Sequence, residues 1–154
     1  MDVFPEKKRR EIMSRVKNRS TRQELFVRSL LHRLGYRFRL HRSDLPGTPD
    51  IVLPKYSTVV FVNGCFWHGH DCPRGKLPES NKDFWAEKIE KNRNRDQQNI
   101  ETLESLGWQV VVVWTCETAS AVKLTALGHR LAEAIGRHRV KGVQTKTRTT
   151  IRRR

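Results

Sequence analysis

The chain has 154 residues, a length typical of one domain, and 31 Lys and Arg against 16 Asp and Glu give a net charge of +15. This imbalance favours a polyanionic partner. No apolar run approaches the ~18 residues of a membrane span, the N-terminus lacks an apolar signal segment, and three cysteines argue against a disulfide framework, so we expect an intracellular, cytoplasmic protein.

Two segments of different character open the chain. Residues 7–22 carry eight basic residues and one acid, and we expect a short helix around residues 10–17. A capping-box pattern at 21–24 then predicts a helix that ends at Gly35 and has on its inner face Leu30, Leu31 and Leu34. The period-2 alternation over 36–41 predicts a half-buried strand.

The middle of the chain combines strands, an irregular loop and a long helix. Asp50 opens a short strand over 51–53, and a more apolar strand follows over 57–62. Residues 63–80 are rich in Gly, Pro and His, so a ligand or contact must hold this loop. A helix is predicted over about 81–106, with an inner face formed by Trp85, Ile89, Asn92, Asp96, Ile100, Leu103 and Leu106. The polar middle of that face should meet other polar groups.

The last elements are a buried strand over 109–114 and an amphipathic helix over 120–135 that ends at Gly136. Residues 137–154 hold eight basic residues and no acid, which is typical of a disordered tail. The order of elements predicts an α/β fold with one mixed sheet flanked by helices. We expect one domain over 1–136, including the basic N-terminal segment, followed by the tail.

Soft metal ligands are concentrated in and near the irregular loop, at Cys65, His70, Cys72 and Cys116. Three thiolates and one imidazole form a closed tetrahedral set typical of structural zinc. Such an ion would pin the loop to the end of the last strand. His68 or Asp71 could instead supply the fourth ligand, and three unrelated thiols are the alternative interpretation.

A second candidate site is the carboxylate of Asp50. A carboxylate beside a buried strand can hold Mg²⁺ against a phosphate, although an Asp that ends a turn is the simpler interpretation. Because the next strand offers Phe61-Val62-Asn63 and no acid-x-Lys pair, a nuclease would need another group to activate water. His68 is the nearest candidate, since imidazole exchanges protons near neutral pH. Glu24 either caps its helix or holds a water at the sheet edge.

Adjacent aromatic side chains at Phe66 and Trp67 lie within this polar loop. Apolar side chains can wedge between base steps and unstack them, and Met13 in the basic N-terminal segment could act in the same way. The alternatives are structural: the two aromatics would cover the zinc site, and Met13 would pack a helix.

The quoted residues occur together in a longer pattern. The string VFVNGCFWHGHDC is preceded by LPGTPD and followed by FWAEKIEKNRNRD, and LGWQV with WTC and the 13–31 region extend the match. Over about residues 7–135 this pattern resembles the very-short-patch-repair (Vsr) endonucleases.

The resemblance implies a restriction-endonuclease-like fold with a zinc-pinned loop, so that 1–136 would be a nuclease domain. It implies Mg²⁺-dependent nicking 5′ to the thymine of a T:G mismatch, which arises when 5-methylcytosine deaminates, as the start of very-short-patch repair. The implied partners are mismatched duplex DNA and, functionally, a DNA cytosine methyltransferase. We expect a monomer that works on the bacterial nucleoid.

Matching positions assign the roles. Asp50 and the Val62 carbonyl fall on the Mg²⁺ site, His68 on the catalytic His and Glu24 on its supporting acid. The structural zinc ligands fall on Cys65, His70, Cys72 and Cys116. The residues that wedge into the duplex fall on Met13, Phe66 and Trp67, with Trp85 in support.

One position departs from the family pattern, which has a His immediately before Gly-Cys where this chain has Asn63. An Asn can hydrogen-bond a hydrated metal but cannot take a proton near pH 7. Asn63 therefore joins the catalytic set only as a hydrogen-bonding partner of the hydrated metal. His68 carries more of the proton transfer.

Three other functions fit part of these observations. A non-catalytic, zinc-stabilised DNA-binding protein would explain the single carboxylate and Asn63. A restriction-type nuclease acting on intact duplex could use the same core. A basic RNA-binding or ribosome-associated protein would explain the charge and the tail, but it leaves Asp50 and His68 unexplained.

Overall fold

Three α-helices and four strands follow one another within residues 21–137, which are the residues that this computed structural model describes. In chain order they are α1 (Arg22–Arg33), β1 (Arg39–Leu40), β2 (Ile51–Leu53), β3 (Thr58–Asn63), α2 (Lys82–Ser105), β4 (Gln109–Trp114) and α3 (Ala121–Arg137). This order confirms the predicted α/β arrangement. None of the helices described here is long and apolar enough to cross a membrane.

The four strands form one mixed sheet in the order β1-β2-β3-β4. The β1–β2 and β2–β3 pairs are antiparallel, whereas β3 and β4 are parallel. The parallel register pairs Asn63 with Trp114, so both strands end at the same edge of the sheet. The loop after β3 and the turn after β4 therefore start side by side, and the candidate metal ligands lie in these two segments.

Helices cover both faces of the sheet. On one face α1 and α3 bury Val27, Leu31, Leu127, Leu131 and Ile135 against the strands. On the other face Leu103 of α2 packs with Val52 and Val59. Continuous apolar runs in β2 and β3 follow from this arrangement, because strands covered on both faces have no solvent side.

The strand predicted over 36–41 is wrong in length and burial. Only Arg39 and Leu40 pair with β2, and both are exposed. Because β2 has only three residues, the edge strand has few backbone groups with which to pair. Tyr36 and Phe38 instead pack against the core from an irregular segment.

The two predicted helix faces each include one wrong residue at the C-terminal end. Leu34 is 44% exposed and Leu106 is 61% exposed, because each caps its helix just before a glycine turns the chain away. Both glycines have positive φ, +90° at Gly35 and +91° at Gly107, a conformation that favours glycine. The predicted end of the last helix at Gly136 is one residue short, because α3 continues to Arg137. The predicted helix over 10–17, Met13 and the tail after residue 137 lie outside the described residues.

Candidate active site and metal clusters

A cavity of about 830 Å³ opens between α1, the polar middle of α2 and the end of β3. The segment that leads into β2 and the loop after β3 complete its wall. The side chains predicted for catalysis all line it, namely Glu24, Asp50, Asn63 and His68. Val62 lines it too, so the structure brings together residues from four separate segments.

Asp50 lies where the chain enters β2, and its carboxylate spans to the neighbouring strand. Its Oδ2 accepts a hydrogen bond from the backbone N–H of Val62 at 2.8 Å. Burial raises the pKa of Asp50 to about 6, the Val62 bond opposes this rise, and the nearby Glu24 carboxylate adds to it. A nearby cation would favour the ionised form of this carboxylate and so lower its pKa.

Glu24 lies in the first turn of α1, and its backbone and its carboxylate have different partners. Its backbone N–H donates to Oγ1 of the N-cap Thr21 at 3.2 Å, as half of the predicted capping box. Its carboxylate is buried and faces the cavity, where Oε2 lies 3.1 Å from Nη2 of Arg28 and 3.2 Å from Nε2 of His41. Ligand atoms of Glu24, His41 and Asp50 all lie within 4.8 Å of one another, so this group could hold a metal ion.

His68 faces the polar middle of α2. Its Nδ1 lies 2.5 Å from Oδ2 of Asp96, and both side chains are about one-quarter exposed. Asn92, one turn earlier, donates from Nδ2 to the backbone carbonyl of Trp67 at 2.9 Å. The polar stretch of α2 therefore meets polar groups as predicted, and it holds the loop at the residue that bears the imidazole.

The close approach of loop and helix depends on Gly69. This residue has φ of +65°, and a Cβ there would lie 2.7 Å from Cγ2 of Ile89 and 2.7 Å from Cδ of Arg93. A side chain would push the loop away from α2, so the glycine next to His68 permits the contact with Asp96.

The predicted zinc ligands converge at the edge where β3 and β4 end. One ligand atom from each of Cys65, His70, Cys72 and Cys116 lies within 4.8 Å of the other three. The alternatives for the fourth ligand lie elsewhere, since His68 pairs with Asp96 and Asp71 is exposed. The His70 ring stacks on Trp114 with centroids 4.3 Å apart and an interplanar angle of 11°.

The electrostatics of the cluster move the pKa values of Cys65 and Cys116 in opposite directions. Burial raises the pKa of Cys65, but hydrogen bonds from Thr115, Cys116 and His70 outweigh it and bring that pKa to about 7. Burial and the neighbouring Cys65 raise the pKa of Cys116 to about 11. A divalent metal would stabilise all three thiolates, and three sulfurs with one imidazole match the closed ligand set of zinc.

Aromatic side chains form a cluster on the outer side of the same loop. Phe66, Trp67 and Trp85 contact one another edge to face, with centroids 5.1 to 5.9 Å apart. All three are half-buried, and Lys88 Nζ lies 5.8 Å from the ring centroids of both tryptophans. Trp67 also lines the cavity, so the aromatic cluster adjoins the site.

The sequence does not reveal the contacts that two cavity residues, Asp96 and His41, make in the structure. Asp96 was placed on the inner face of its helix, but its pairing with His68 depends on the path of the loop. His41 was read only as the end of a strand, yet its N–H donates to the Asp50 carbonyl at 3.2 Å. This relation follows from the observed antiparallel register, which pairs Leu40 with Ile51 and so places His41 opposite Asp50.

Comparisons with known proteins identify the family of the chain. The family model described as DNA mismatch endonuclease Vsr matches residues 1–74. The type II nicking enzyme V.XorIIP of Xanthomonas oryzae pv. oryzae is 54% identical over 125 residues, which cover 81% of this chain and 92% of that protein. DNA mismatch endonuclease Vsr of Escherichia coli is 43% identical over 136 residues, which cover 87% of each chain.

A solved structure supports the fold independently of sequence. The catalytic domain of the homing endonuclease I-Bth0305I superposes with a TM-score of 0.54 at 18% identity, covering 77% of this chain and 98% of that domain. At such low identity the likeness establishes the α/β fold alone. With two relatives above 40% identity over most of their length, the chain belongs to the DNA mismatch endonuclease Vsr family of DNA endonucleases.

Proposed function

We propose that the protein nicks one strand of duplex DNA 5′ to the thymine of a T:G mismatch, by Mg²⁺-dependent hydrolysis of the phosphodiester. The nick would initiate very-short-patch repair of deaminated 5-methylcytosine. The observation that carries the proposal is that Asp50, His68 and Trp67 all line one cavity. Hydrolysis of a phosphodiester needs charge neutralisation, a positioned water and a route for its proton.

The proton route is assigned to His68. With the Asp96 carboxylate accepting from Nδ1, the ring keeps its hydrogen there and presents the Nε2 lone pair. Nε2 then takes the proton of the attacking water. Asp96 fixes the ring orientation and stabilises the imidazolium that forms.

The negative charge of the scissile phosphate would be neutralised by the divalent ion held at Asp50. This carboxylate, with the Val62 carbonyl beside it, would hold the divalent ion, and the ion would supply Lewis-acid polarisation of the scissile phosphate. Glu24 and Asn63 complete the wall and would hold water next to it. Burial raises the pKa of Asp50, so a bound cation would stabilise its ionised carboxylate.

The second metal would be zinc in the Cys65, His70, Cys72 and Cys116 cluster. Its role is structural, because four protein ligands leave no open position. His68 lies between two of these ligands in the chain, so the zinc would hold the catalytic loop in place.

Mismatch selectivity is assigned to the aromatic cluster. Phe66 and Trp67 would wedge between base pairs beside the mismatch, with Trp85 behind them and Met13 approaching from the N-terminal segment. A T:G pair costs less to unstack than a matched pair, so wedge insertion favours it.

Several broader properties belong to the same proposal. Residues 1–136 form the nuclease domain, and the basic tail over 137–154 adds phosphate contacts. The protein acts as a monomer on nucleoid DNA in the bacterial cytoplasm. Its substrate sites are those that a DNA cytosine methyltransferase has modified.

The test is a nicking assay with Mg²⁺ on duplexes labelled on each strand separately. The duplexes carry T:G in several flanking contexts, with matched T:A and C:G duplexes as controls. A single nick on the T strand of mismatched duplex alone is expected.

Two results would contradict the proposal. Cleavage of both strands in matched duplex would identify a restriction-type nuclease. Binding of T:G duplex without cleavage in any context would identify a zinc-stabilised DNA-binding protein.

A further inference from the structure

His41 has an unusual backbone conformation. The chemistry proposed above gives this residue no role. Its φ is +44°, in the left-handed region that side chains with a Cβ adopt infrequently. Its N–H is bonded to the Asp50 carbonyl at 3.2 Å, so the turn that strains His41 also ties it to Asp50. Strained residues of this kind concentrate at functional sites.

The imidazole points to the carboxylates of the cavity. Nε2 lies 3.2 Å from Oε2 of Glu24, and the His41 side chain is 15% exposed. Ligand atoms of Glu24, His41 and Asp50 lie within 4.8 Å of one another. Around an octahedral ion of the size of Mg²⁺, adjacent ligand atoms are about 3 Å apart and opposite ones about 4 Å apart. His41 and Asp50 therefore need only small movements to share one ion, and Glu24 lies beside it.

We propose that His41 is a direct nitrogen ligand of the catalytic divalent ion, together with Asp50, while Glu24 holds water next to the ion. This inference rests on the proposed metal-dependent hydrolysis at Asp50. Ligation requires the neutral ring to carry its hydrogen on Nδ1, which leaves the Nε2 lone pair for the ion. The contact of Nε2 with Glu24 Oε2 would then be exchanged for the ion.

A nitrogen ligand changes which ion the site prefers. Mg²⁺ favours oxygen ligands, whereas imidazole raises the affinity of first-row transition ions relative to Mg²⁺. We therefore expect this site to bind Mn²⁺ more tightly than an all-oxygen site would. The preference is a property of His41, since Asp50, Glu24 and the backbone offer only oxygen.

Pulsed electron paramagnetic resonance of Mn²⁺ bound to the zinc-loaded, full-length protein tests the proposal without relying on activity. A directly bound imidazole gives ¹⁴N modulation in the echo decay. We expect this modulation in the wild type and in His68→Ala, which removes the other imidazole of the cavity. It should be lost in His41→Asn, whose side chain tolerates the left-handed backbone.

Calorimetric titration adds a second readout. The Kd for Mn²⁺ should rise at least about tenfold in His41→Asn, while the Kd for Mg²⁺ changes less than about threefold. His32→Asn, an exposed substitution on α1, should leave both unchanged.

The outcomes separate this inference from the function on which it rests. Mn²⁺ binding that Asp50→Asn abolishes, but without ¹⁴N modulation in the wild type, overturns the role of His41 and leaves metal-dependent nicking intact. Equal weakening of Mg²⁺ and Mn²⁺ in His41→Asn also overturns it, because His41 would then only position Glu24. Absence of any Asp50-dependent binding, together with absence of nicking, overturns both.

Discussion

His68 Nδ1 lies 2.5 Å from Oδ2 of Asp96, a residue 28 positions further along the chain in the middle of α2. The pair joins an irregular loop to a regular helix. An imidazole whose Nδ1 is held in this way presents Nε2 to the cavity as a proton acceptor. The position of the proposed base is therefore set by a helix, although His68 itself lies on a loop.

Replacing Asp96 with Asn should lower the nicking rate by roughly 10²–10⁴-fold, because the amide no longer fixes the tautomer or stabilises the imidazolium. Binding of T:G duplex should persist, and His68→Ala should abolish nicking with the same retention of binding. Single-turnover nicking and gel-shift titrations measure the two effects. Glu90→Gln removes one negative charge from the exposed side of α2 and serves as the control. Turnover like that of the wild type in either Asp96→Asn or His68→Ala would refute the assignment.

The stability of the protein without Mg²⁺ should respond to Asp50. Its pKa rises from 3.8 to about 6 on folding, so its favourable contribution is complete below pH 3.8 and is lost as the pH rises through about 6. Asp50→Asn removes this penalty and should stabilise the protein above pH 6 by up to about 3 kcal/mol, with no gain at pH 3.8. Urea unfolding at several pH values, without chelator so that zinc is retained, measures the difference.

Asp44 provides a control of opposite sign. Its hydrogen bonds to Arg42 lower its pKa from 3.8, so its contribution to stability is present above that pH and lost as the pH falls. Asp44→Asn should therefore not stabilise the protein at pH 7. A stabilising effect of both substitutions at neutral pH would point to net charge and not to the burial of Asp50.

The protein should contain one equivalent of zinc per chain, and zinc binding should depend on His70. His70→Ala should lose the metal and lower the free energy of unfolding by more than about 3 kcal/mol, since binding of a structural metal is coupled to folding. Elemental analysis and thermal unfolding measure the two quantities. His68→Ala, two residues away, should keep one equivalent. Loss of zinc in His68→Ala with retention in His70→Ala would reverse the two assignments.

Trp67→Ala should reduce the preference for mismatched DNA. Loss of one stacked ring costs about 1–3 kcal/mol of binding, so the ratio of Kd values for T:A and T:G duplexes should fall about fivefold or more. Leu106→Ala removes an exposed apolar side chain at the end of α2 and should leave the ratio unchanged. An equal loss of affinity for both duplexes would mean that Trp67 supports the fold and does not select the substrate.

Deletion of residues 138–154 removes seven basic residues. If the tail contacts phosphates, the slope of log K against log salt should become less steep, by at most about 6, while the mismatch preference stays the same. Fluorescence anisotropy at several salt concentrations measures both. An unchanged slope would give the tail another role.

Local patterns were enough to predict most of the fold and the cysteine cluster. The β4 strand begins and ends where its apolar run does, and all three cysteines lie in one loop and one turn. The relation of Asp96 to His68 could not be predicted, because it depends on the phase of α2 and on the close contact at Gly69. The exposure of Leu106 was also missed, because helix periodicity does not show where the following turn leads the chain.

The parallel pairing of β3 with β4 has a consequence for the order of folding. Thr58 pairs with Gln109, 51 positions away, and the chain between the two strands carries His68, Asp96 and the aromatic cluster. Closing so long a connection is slow compared with forming α1 or the β2–β3 hairpin. The residues proposed for catalysis therefore come together only once β3 and β4, the paired strands farthest apart in the described sequence, have met, so an incompletely folded chain has no assembled site.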